Sequence, residues 1–237
     1  MKNAWDIVMK SSSNVYCSFC ENYFLTFLPG GVSQKRANAQ CPKCNSLERH
    51  RLMWYVIQDR KLFNGPLRML HVAPEELFYN ALAAKANIDY VPCAKFGDGY
   101  PDEYPAGTVD RDLTQMPDEN NSYDGIICSH VLEHIPEDIT AMKELYRILK
   151  PGGWAILQVP LDKSREKTYE DWSITDPKER EKRFGQWDHV RVYGLDYKER
   201  LESSGFDVEV IDLYQRLGSK DYFKFGFMDE DIYYCTK

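Results

Sequence analysis

Four cysteines near the start of the chain have the spacing of a metal site. Cys17 and Cys20 are separated by two residues, Cys41 and Cys44 are also separated by two residues, and the segment 21–40 lies between the pairs. Two residues between thiolates allow one tight turn to direct both sulfur atoms at the same ion, and two such turns complete a tetrahedron. The spacing therefore predicts a structural zinc ion, with no coordination position left for water. Two incidental cysteine pairs or a redox dithiol are the alternatives.

Histidines form the second group of residues that could do chemistry, because imidazole titrates near neutral pH. The sequence contains His50, His71, His130, His134 and His189. His130, Glu133 and His134 have the spacing H-x-x-E-H, which on a helix would place both imidazoles on one face and could hold a metal ion. The motif here follows a predicted strand instead. We therefore favour a role in lining a cofactor or substrate pocket over a metal site.

The elements that must position these residues alternate between strands and helices from residue 67 onward. Strands are predicted at 67–73, 88–93, 108–113, 123–129, 154–159, 206–211 and 232–236, and helices at 75–86, 138–150, 177–184 and 196–203. This alternation predicts a mostly parallel sheet covered on both faces, with ligands bound beyond the carboxyl ends of its strands. An irregular segment at 1–45 and a helix at 47–58, capped by Asn45 or Ser46, come before the sheet.

The composition is that of a globular chain and limits its partners. Of the 237 residues, 43% are hydrophobic and 28% are charged, and no apolar stretch is long enough to span a membrane. The net charge of -7 argues against an affinity based on neutralising phosphates, although a local basic face is still compatible with it. Met1–Lys10 lacks the apolar core of a secretory signal. Seven cysteines without such a signal predict a reducing, cytoplasmic location.

Three segments carry a family resemblance, and their order along the chain is specific. They are DLT at 112–114, YDGIICSHVLEHI at 123–135 and ELYRILKPGGW at 144–154. Together they closely resemble the class I S-adenosylmethionine-dependent methyltransferases, over residues 66–237. The resemblance implies an α/β fold with a Rossmann-like sheet and S-adenosylmethionine bound across the strand ends. We predict a zinc ribbon with a linker helix at 1–60 and a methyltransferase domain at 65–237.

The resemblance also implies which residues surround the cofactor. Asp112 and Leu113 would lie near the adenine, where a carboxylate can accept a hydrogen bond from the exocyclic amine and an apolar neighbour can cover the ring. Ser129 and His130 would flank the methionine part and the methyl group. Glu75 would contact the amino group of the methionine. The other predicted cofactor contacts are His71, Ala73, Pro74 and Lys95.

Two positions depart from the family pattern. The family's first strand usually ends in an acidic residue and a glycine-rich turn, whereas Ala73 stands here without a nearby glycine. Alanine is small enough for close approach, and the N-terminus of the next helix is still available to the ligand. The second strand usually ends in an acid that holds the ribose hydroxyls, whereas Lys95 follows it here and only Asp98 could replace that acid. These departures keep open a non-catalytic binding or scaffold protein built on a decayed methyltransferase fold.

The charged segment 161–194 contains the predicted catalytic group. Methyl transfer is an in-line displacement that requires alignment, and an acceptor hydroxyl or amine can also need a base. In class I methyltransferases a segment placed like this one often covers the acceptor. We predict His189 as the base, with Asp188 and His130 as further catalytic groups. Gln186 and Arg191 would help to orient a polyhydroxylated substrate. An ordinary loop with salt bridges is the alternative.

The predicted reaction is direct methyl transfer from S-adenosylmethionine to an oxygen or nitrogen atom. The acidic net charge and the polar segment 161–191 favour a small molecule or a sugar as acceptor. An RNA base is the alternative, because some ribosomal RNA guanine methyltransferases also carry an N-terminal cysteine-rich zinc module. In that version the ribbon would help to recognise RNA.

Overall fold

The computed structural model describes residues 14–31, 35–97 and 103–237 of the chain. The predictions about Met1–Lys10 and about Asp98 fall outside these residues. Among the helices within these ranges, none combines the length with the apolar character that a membrane span requires.

The chain forms two compact units. The first contains residues up to 64 together with 211–232, and the second contains 65–210 together with 233–237. The sequence pattern assigns 211–232 to the predicted domain at 65–237, whereas the contacts group it with the cysteine-containing segment. Part of the reason is Arg51, which donates hydrogen bonds to the carbonyl oxygens of Phe225 and Gly226.

Two short hairpins and a helix build the N-terminal part of the first unit. Strand β1 (Val15–Cys17) pairs with β2 (Asn22–Phe24), β3 (Leu28–Gly30) pairs with β4 (Arg36–Gln40), and helix α1 spans Glu48–Asp59. The sequence predicts irregular structure here because strands of three to five residues are too short to show an alternating pattern. The predicted caps of α1 are wrong, because His50 Nδ1 instead accepts the N–H of Leu47 at 3.1 Å.

The second unit is built around a seven-stranded sheet, which confirms the predicted α/β architecture. Its strands are β5 (Leu67–Val72), β6 (Ile88–Ala94), β7 (Val109–Asp110), β8 (Tyr123–Ser129), β9 (Leu149–Gln158), β12 (Asp207–Ile211) and β13 (Ile232–Thr236). They follow the spatial order β12-β13-β9-β8-β5-β6-β7. The five strands from β9 to β7 are parallel to their neighbours, and β13 is antiparallel to β9.

Helices and one small strand pair connect the sheet strands. The helices are α2 (Glu76–Ala83), α3 (Asp138–Ile148), α4 (Pro177–Phe184) and α5 (Tyr197–Ser203), and β10 (Tyr169–Glu170) pairs with β11 (Arg191–Val192). Two further helices, α6 (Leu213–Leu217) and α7 (Ser219–Phe225), belong to the first unit.

Helix α3 shows why these elements form where they do. Ala141, Met142, Leu145 and Ile148 recur at helical spacing, and all four are buried in the core of the sheet domain. Burying the three larger side chains, Met142, Leu145 and Ile148, stabilises the fold by about 1.5–3 kcal/mol each. The prediction extended the helix to residue 150, but it ends two residues earlier. The residue before Pro151 is disfavoured in helical conformation, so the chain enters β9 already at Leu149.

Gly125 in β8 leaves the space that the Trp154 indole fills. The two residues are register partners in the parallel pair β8–β9, and a β-carbon at position 125 would lie 2.5 Å from Trp154 Cζ2. Non-bonded carbon atoms do not tolerate that distance, so an added methyl group forces the indole or the strand to move.

We predict that Gly125→Ala lowers the free energy of unfolding by about 1–3 kcal/mol, because it overpacks this contact. Urea unfolding followed by circular dichroism measures the change. In a Trp154→Leu background the same glycine substitution should cost less, since the clashing ring is gone. Equal costs in both backgrounds would contradict this explanation.

Candidate functional site

The carboxyl ends of the central strands meet at one edge of the sheet. Strand β5 pairs with β6 on one side and with β8 on the other, and all three are parallel. The chain first proceeds outward from β5 through β6 and β7 and then returns to the other side as β8 and β9. Such a reversal opens a crevice outside the strand ends, which is where sheets of this class bind ligands.

The turns that leave β5 and β8 at this edge are both in the left-handed region. Ala73 has φ 47° and His130 has φ 55°. This conformation costs a residue with a β-carbon roughly 1–2 kcal/mol. Hydrogen bonds hold both turns, from Ala73 N to Cys93 O at 2.7 Å and from His130 N to Gln158 O at 2.9 Å. The sequence gives no sign of either turn, because neither position is a glycine.

Lys95 and Asp112, two predicted cofactor residues, form an ion pair at the ends of β6 and β7. Lys95 Nζ lies 2.6 Å from Asp112 Oδ2, while Oδ1 accepts the N–H and the hydroxyl of Thr114 at 2.9 and 2.6 Å. The hydrogen bond from Lys95, followed by those from Thr114, lowers the pKa of the Asp112 carboxyl to about 2. Its side chain is 42% exposed, so the charged carboxylate is still open to a ligand. Leu113 beside it is buried.

His71 and the residues after it lie at the end of β5. The imidazole is buried, and its Nδ1 lies 2.8 Å from the hydroxyl oxygen of Tyr90. Burial lowers the pKa of His71 to about 4, so the ring is neutral at physiological pH. Pro74 is buried as well, whereas Ala73 and Glu75 are partly exposed next to the N-terminus of α2. The four predicted contacts of this strand therefore lie together at the sheet edge.

Strand β8 ends at Ser129, and Ser129 and His130 lie at the same edge of the sheet as His71. Ser129 is 9% exposed, and its hydroxyl is buried without a hydrogen-bond partner among the described residues. Buried hydroxyls normally find a partner, so this oxygen is a polar group available to a ligand. The side chain of His130 is one-third exposed.

The H-x-x-E-H segment does not form the helix that would put His130 and His134 on one face. Leu132–His134 is a single turn of 3-10 helix. The structure instead brings Glu133 and His134 together with His189, one potential ligand atom of each lying within 4.8 Å of the others. The rings of His134 and His189 meet edge to face, with their centres 4.6 Å apart.

Asp188 and His189, both predicted as catalytic groups, have different partners. Asp188 Oδ2 lies 3.1 Å from Nδ1 of His134. His189 Nδ1 faces the carbonyl oxygen of Phe184 at 3.1 Å, and its Nε2 lies 4.0 Å from Glu133 Oε1. A role of His189 as general base stays a prediction, with Nε2 as the nitrogen that would act.

Arg191 has a structural position rather than the predicted contact with substrate. Its side chain is fully buried and donates hydrogen bonds to the carbonyl oxygens of Leu132, Ile135 and Pro136. The neighbouring Val190 N–H donates to Glu133 O at 3.0 Å. These bonds attach the segment after β8 to the segment that carries His189. An arginine in a charged run is expected to be solvated, so the sequence pattern misses this role.

The four cysteines form a cluster in the first unit. Cys17 Sγ lies 3.7 Å from Cys44 Sγ, and Cys20 Sγ lies 3.7 Å from Cys41 Sγ. A zinc tetrahedron with bonds of about 2.3 Å has sulfur–sulfur edges of about 3.8 Å, so the cluster fits this ion. The Ser46 hydroxyl, predicted as a helix cap, lies 3.3 Å from Cys17 Sγ and 3.2 Å from Cys44 Sγ.

Comparison with known proteins concerns mainly the sheet domain. The family model of a methyltransferase domain matches residues 72–211, which include the strand ends and the segment with Asp188 and His189. Demethylmenaquinone methyltransferases of Staphylococcus aureus are 38% identical over 48 residues, which are 20% of this chain and 20% of the relative. The chain is thus matched over about a fifth of the length of these curated relatives.

Solved structures are similar in fold over most of the chain. An S-adenosylmethionine dependent methyltransferase from Mesorhizobium loti has a TM-score of 0.51 and 14% identity, over 78% of this chain and 97% of that chain. One from Archaeoglobus fulgidus has a TM-score of 0.50 and 14% identity, over 81% of this chain and 95% of that chain. At these identities the similarity establishes the fold alone.

We predict that the neutral, buried state of His71 makes part of the stability depend on pH. The unfolded chain takes up this proton near pH 6.5, whereas the folded chain takes it up only near pH 4. The contribution is therefore complete above pH 6.5 and decreases by roughly 2–3 kcal/mol as the pH falls to 4. Urea unfolding at pH 7, 5.5 and 4.5 should show a smaller decrease for His71→Asn than for the wild type. Parallel decreases would contradict the prediction.

Proposed function

Because this chain belongs to the methyltransferase domain family, we propose that it transfers the methyl group of S-adenosylmethionine to an oxygen or nitrogen atom of a small polar molecule or a sugar. The sheet has the strand order and the single antiparallel neighbour of β9 that the predicted class I fold requires. One observation carries the proposal. The residues predicted to hold the cofactor come from four strand ends and lie along one edge of the sheet.

The residues at that edge suit the parts of S-adenosylmethionine. The exposed part of the Asp112 carboxylate can accept a hydrogen bond from the adenine amine. Among the described residues, the Ser129 hydroxyl has no partner that a ligand would have to displace. Ala94 stands where the family usually has an acid, and Lys95 follows it directly. An ammonium group can donate to ribose hydroxyls, so Lys95 supplies a donor near the place where the family has an acceptor. The bound cofactor supplies an electrophilic methyl group on a sulfonium.

The protein's own contribution to such a reaction is alignment and exclusion of water. An acceptor held in line with the sulfonium gains most of its rate from orientation. His130 follows Ser129 directly and belongs to the segment after β8. The hydrogen bond from Val190 N to Glu133 O connects that segment to the one that carries Asp188 and His189. We assign these three side chains to the acceptor side of the site, with His189 as the proposed base.

A small acceptor is supported by charge and by exposed aromatic residues. The net charge of -7 opposes a polyanion. Trp172 and Trp187, in the segment 161–191, are 55% and 53% exposed, and indole faces are suited to pack against sugar rings.

Methylation of an RNA base is the alternative function. In that case the basic residues near the cysteines would bind the RNA. A gel shift with RNA that weakens steeply with salt would favour it. Cytoplasmic location stays a prediction.

We predict that calorimetry detects one S-adenosylhomocysteine bound per chain. Asp112→Asn should weaken this binding about tenfold or more, because it replaces a charge-assisted hydrogen bond by a neutral one. Asp89→Asn is the matched control, since Asp89 is an exposed carboxylate near the other end of β6. If calorimetry detects no heat and the melting temperature does not shift at millimolar ligand, a catalytic function is excluded. The alternative of a decayed, non-catalytic binding domain then stands. Equal affinities of the two variants would place the adenine elsewhere.

We also propose that the four-cysteine cluster binds structural zinc. Among the described residues, the apolar side chains packed around it are Phe27, Val15, Phe19 and Phe24. In so small a core a metal ion supplies folding free energy that burial does not. All four ligands are protein thiolates, so the ion would have no open position for chemistry.

We predict that the purified chain contains zinc and that Cys44→Ser removes one equivalent per chain. Loss of the ion should unfold the two hairpins, because unpaired thiols do not replace the metal bonds. Metal analysis and amide exchange of residues 14–60 measure the two effects. The control Cys93→Ser changes a buried cysteine of β6 and should leave the zinc content unchanged. Equal zinc contents of the two variants would contradict the assignment.

A further inference from the structure

Glu133 carries a carboxylate that is buried inside the protein. Its side chain is 1% exposed, and neither carboxylate oxygen has a hydrogen-bond partner among the residues that the structure describes. Two imidazoles lie close to it, with His130 Nδ1 at 3.5 Å and His189 Nε2 at 4.0 Å from Oε1. A carboxylate taken out of water in this way is costly unless a cation or several donors compensate it.

His134 and His189, which form a cluster with this carboxylate, are oriented like metal ligands. Histidines that bind metals usually donate the N–H of the other ring nitrogen to a carboxylate or a backbone carbonyl. His134 Nδ1 faces Asp188 Oδ2, and His189 Nδ1 faces the carbonyl oxygen of Phe184, both at 3.1 Å. Both rings are therefore fixed through Nδ1, which leaves Nε2 to coordinate an ion.

We propose that Glu133, His134 and His189 bind a divalent transition-metal cation. One potential ligand atom of each residue lies within 4.8 Å of the others. Adjacent ligands at about 2.1 Å from an octahedral ion are separated by about 3.0 Å. The three side chains must therefore approach one another by about 1 Å to bind the ion. The backbone that carries them is already connected by the Val190–Glu133 hydrogen bond, which makes that adjustment local.

The donor set selects the kind of ion. Magnesium and calcium prefer an all-oxygen environment, whereas imidazole suits zinc, iron, nickel and copper. Two imidazoles with one carboxylate, leaving open positions, are typical of Fe²⁺ and related divalent ions. The site thus differs from the four-thiolate cluster, which selects soft ions, and the two sites can be distinguished by their metal preference.

The location suggests what the ion would do. Glu133 follows Ser129 and His130 on the segment that leaves β8 at the sheet edge. A cation there could bind an acceptor hydroxyl through an open position and lower its pKa, so that the hydroxyl loses its proton as the methyl group is transferred. His189 would then be a ligand instead of a base. This role rests on the proposed function, whereas the binding of the ion does not.

The test uses the full chain and Mn²⁺, an ion that thiolate sites disfavour. Titration followed by electron paramagnetic resonance should show one Mn²⁺ bound per chain. Glu133→Gln and His189→Gln should each raise the dissociation constant by at least 30-fold. Asp188→Asn should raise it about tenfold or more, because it removes the group that orients His134. Glu137→Gln makes the same chemical change at an exposed carboxylate nearby and should leave the affinity unchanged.

Two outcomes would overturn the proposal. One is a wild-type chain that binds no Mn²⁺ while its zinc content and circular dichroism are normal. The other is a folded Glu133→Gln variant with the wild-type dissociation constant. Calorimetry with S-adenosylhomocysteine on the same samples keeps this test separate from the proposed function. If the wild-type chain binds Mn²⁺ but not S-adenosylhomocysteine, the proposed function is contradicted and the metal site is not. If it binds S-adenosylhomocysteine but not Mn²⁺, the metal site alone is contradicted.

Discussion

The need to satisfy backbone carbonyls after β8 determines the geometry of the candidate site. When the chain leaves the sheet at Ser129, the following residues have no strand to pair with, and buried carbonyl oxygens must find other donors. Arg191 provides them for Leu132, Ile135 and Pro136 through a fully buried guanidinium. Its own charge is balanced by Glu170 at 2.7 Å. The positions of the side chains on this segment follow from these bonds.

Arg51 acts in the same way in the first unit. Its buried guanidinium donates to the carbonyl oxygens of Ala39 and Ser46 near the cysteines and to those of Phe225 and Gly226 in the C-terminal segment. It also lies over the Phe27 ring, 3.9 Å from the ring centre. Five donors in one rigid plane allow an arginine to connect several chain segments, which a lysine cannot do. One side chain therefore joins parts of the chain more than 170 residues apart.

The sheet edge combines backbone strain with unsatisfied polar groups. Ala73 and His130 adopt left-handed backbone conformations, and Ser129 and Glu133 keep buried oxygens without hydrogen-bond partners within the described ranges. Each feature destabilises the folded protein when no ligand is bound, and such features are typically concentrated where a protein binds its ligands. A cofactor at Ser129 and a cation at Glu133 would remove two of these costs.

The sequence alone determined the features that depend on local spacing. Two C-x2-C pairs predict the cysteine cluster, and the hydrophobic periodicity predicts the helices and strands of the sheet domain. Strand β9 is the exception, because it begins at Leu149, five residues before the predicted strand. The partners of polar side chains are different, because they come from residues distant in sequence. That Asp188 pairs with His134, that Glu133 meets His189, and that Arg191 binds carbonyls some 55–59 residues away follows only from the folded chain. Local patterns record which residues are apolar, but a charged side chain carries no sign of which distant group will bind it, so tertiary structure alone decided these contacts between the polar side chains of the site.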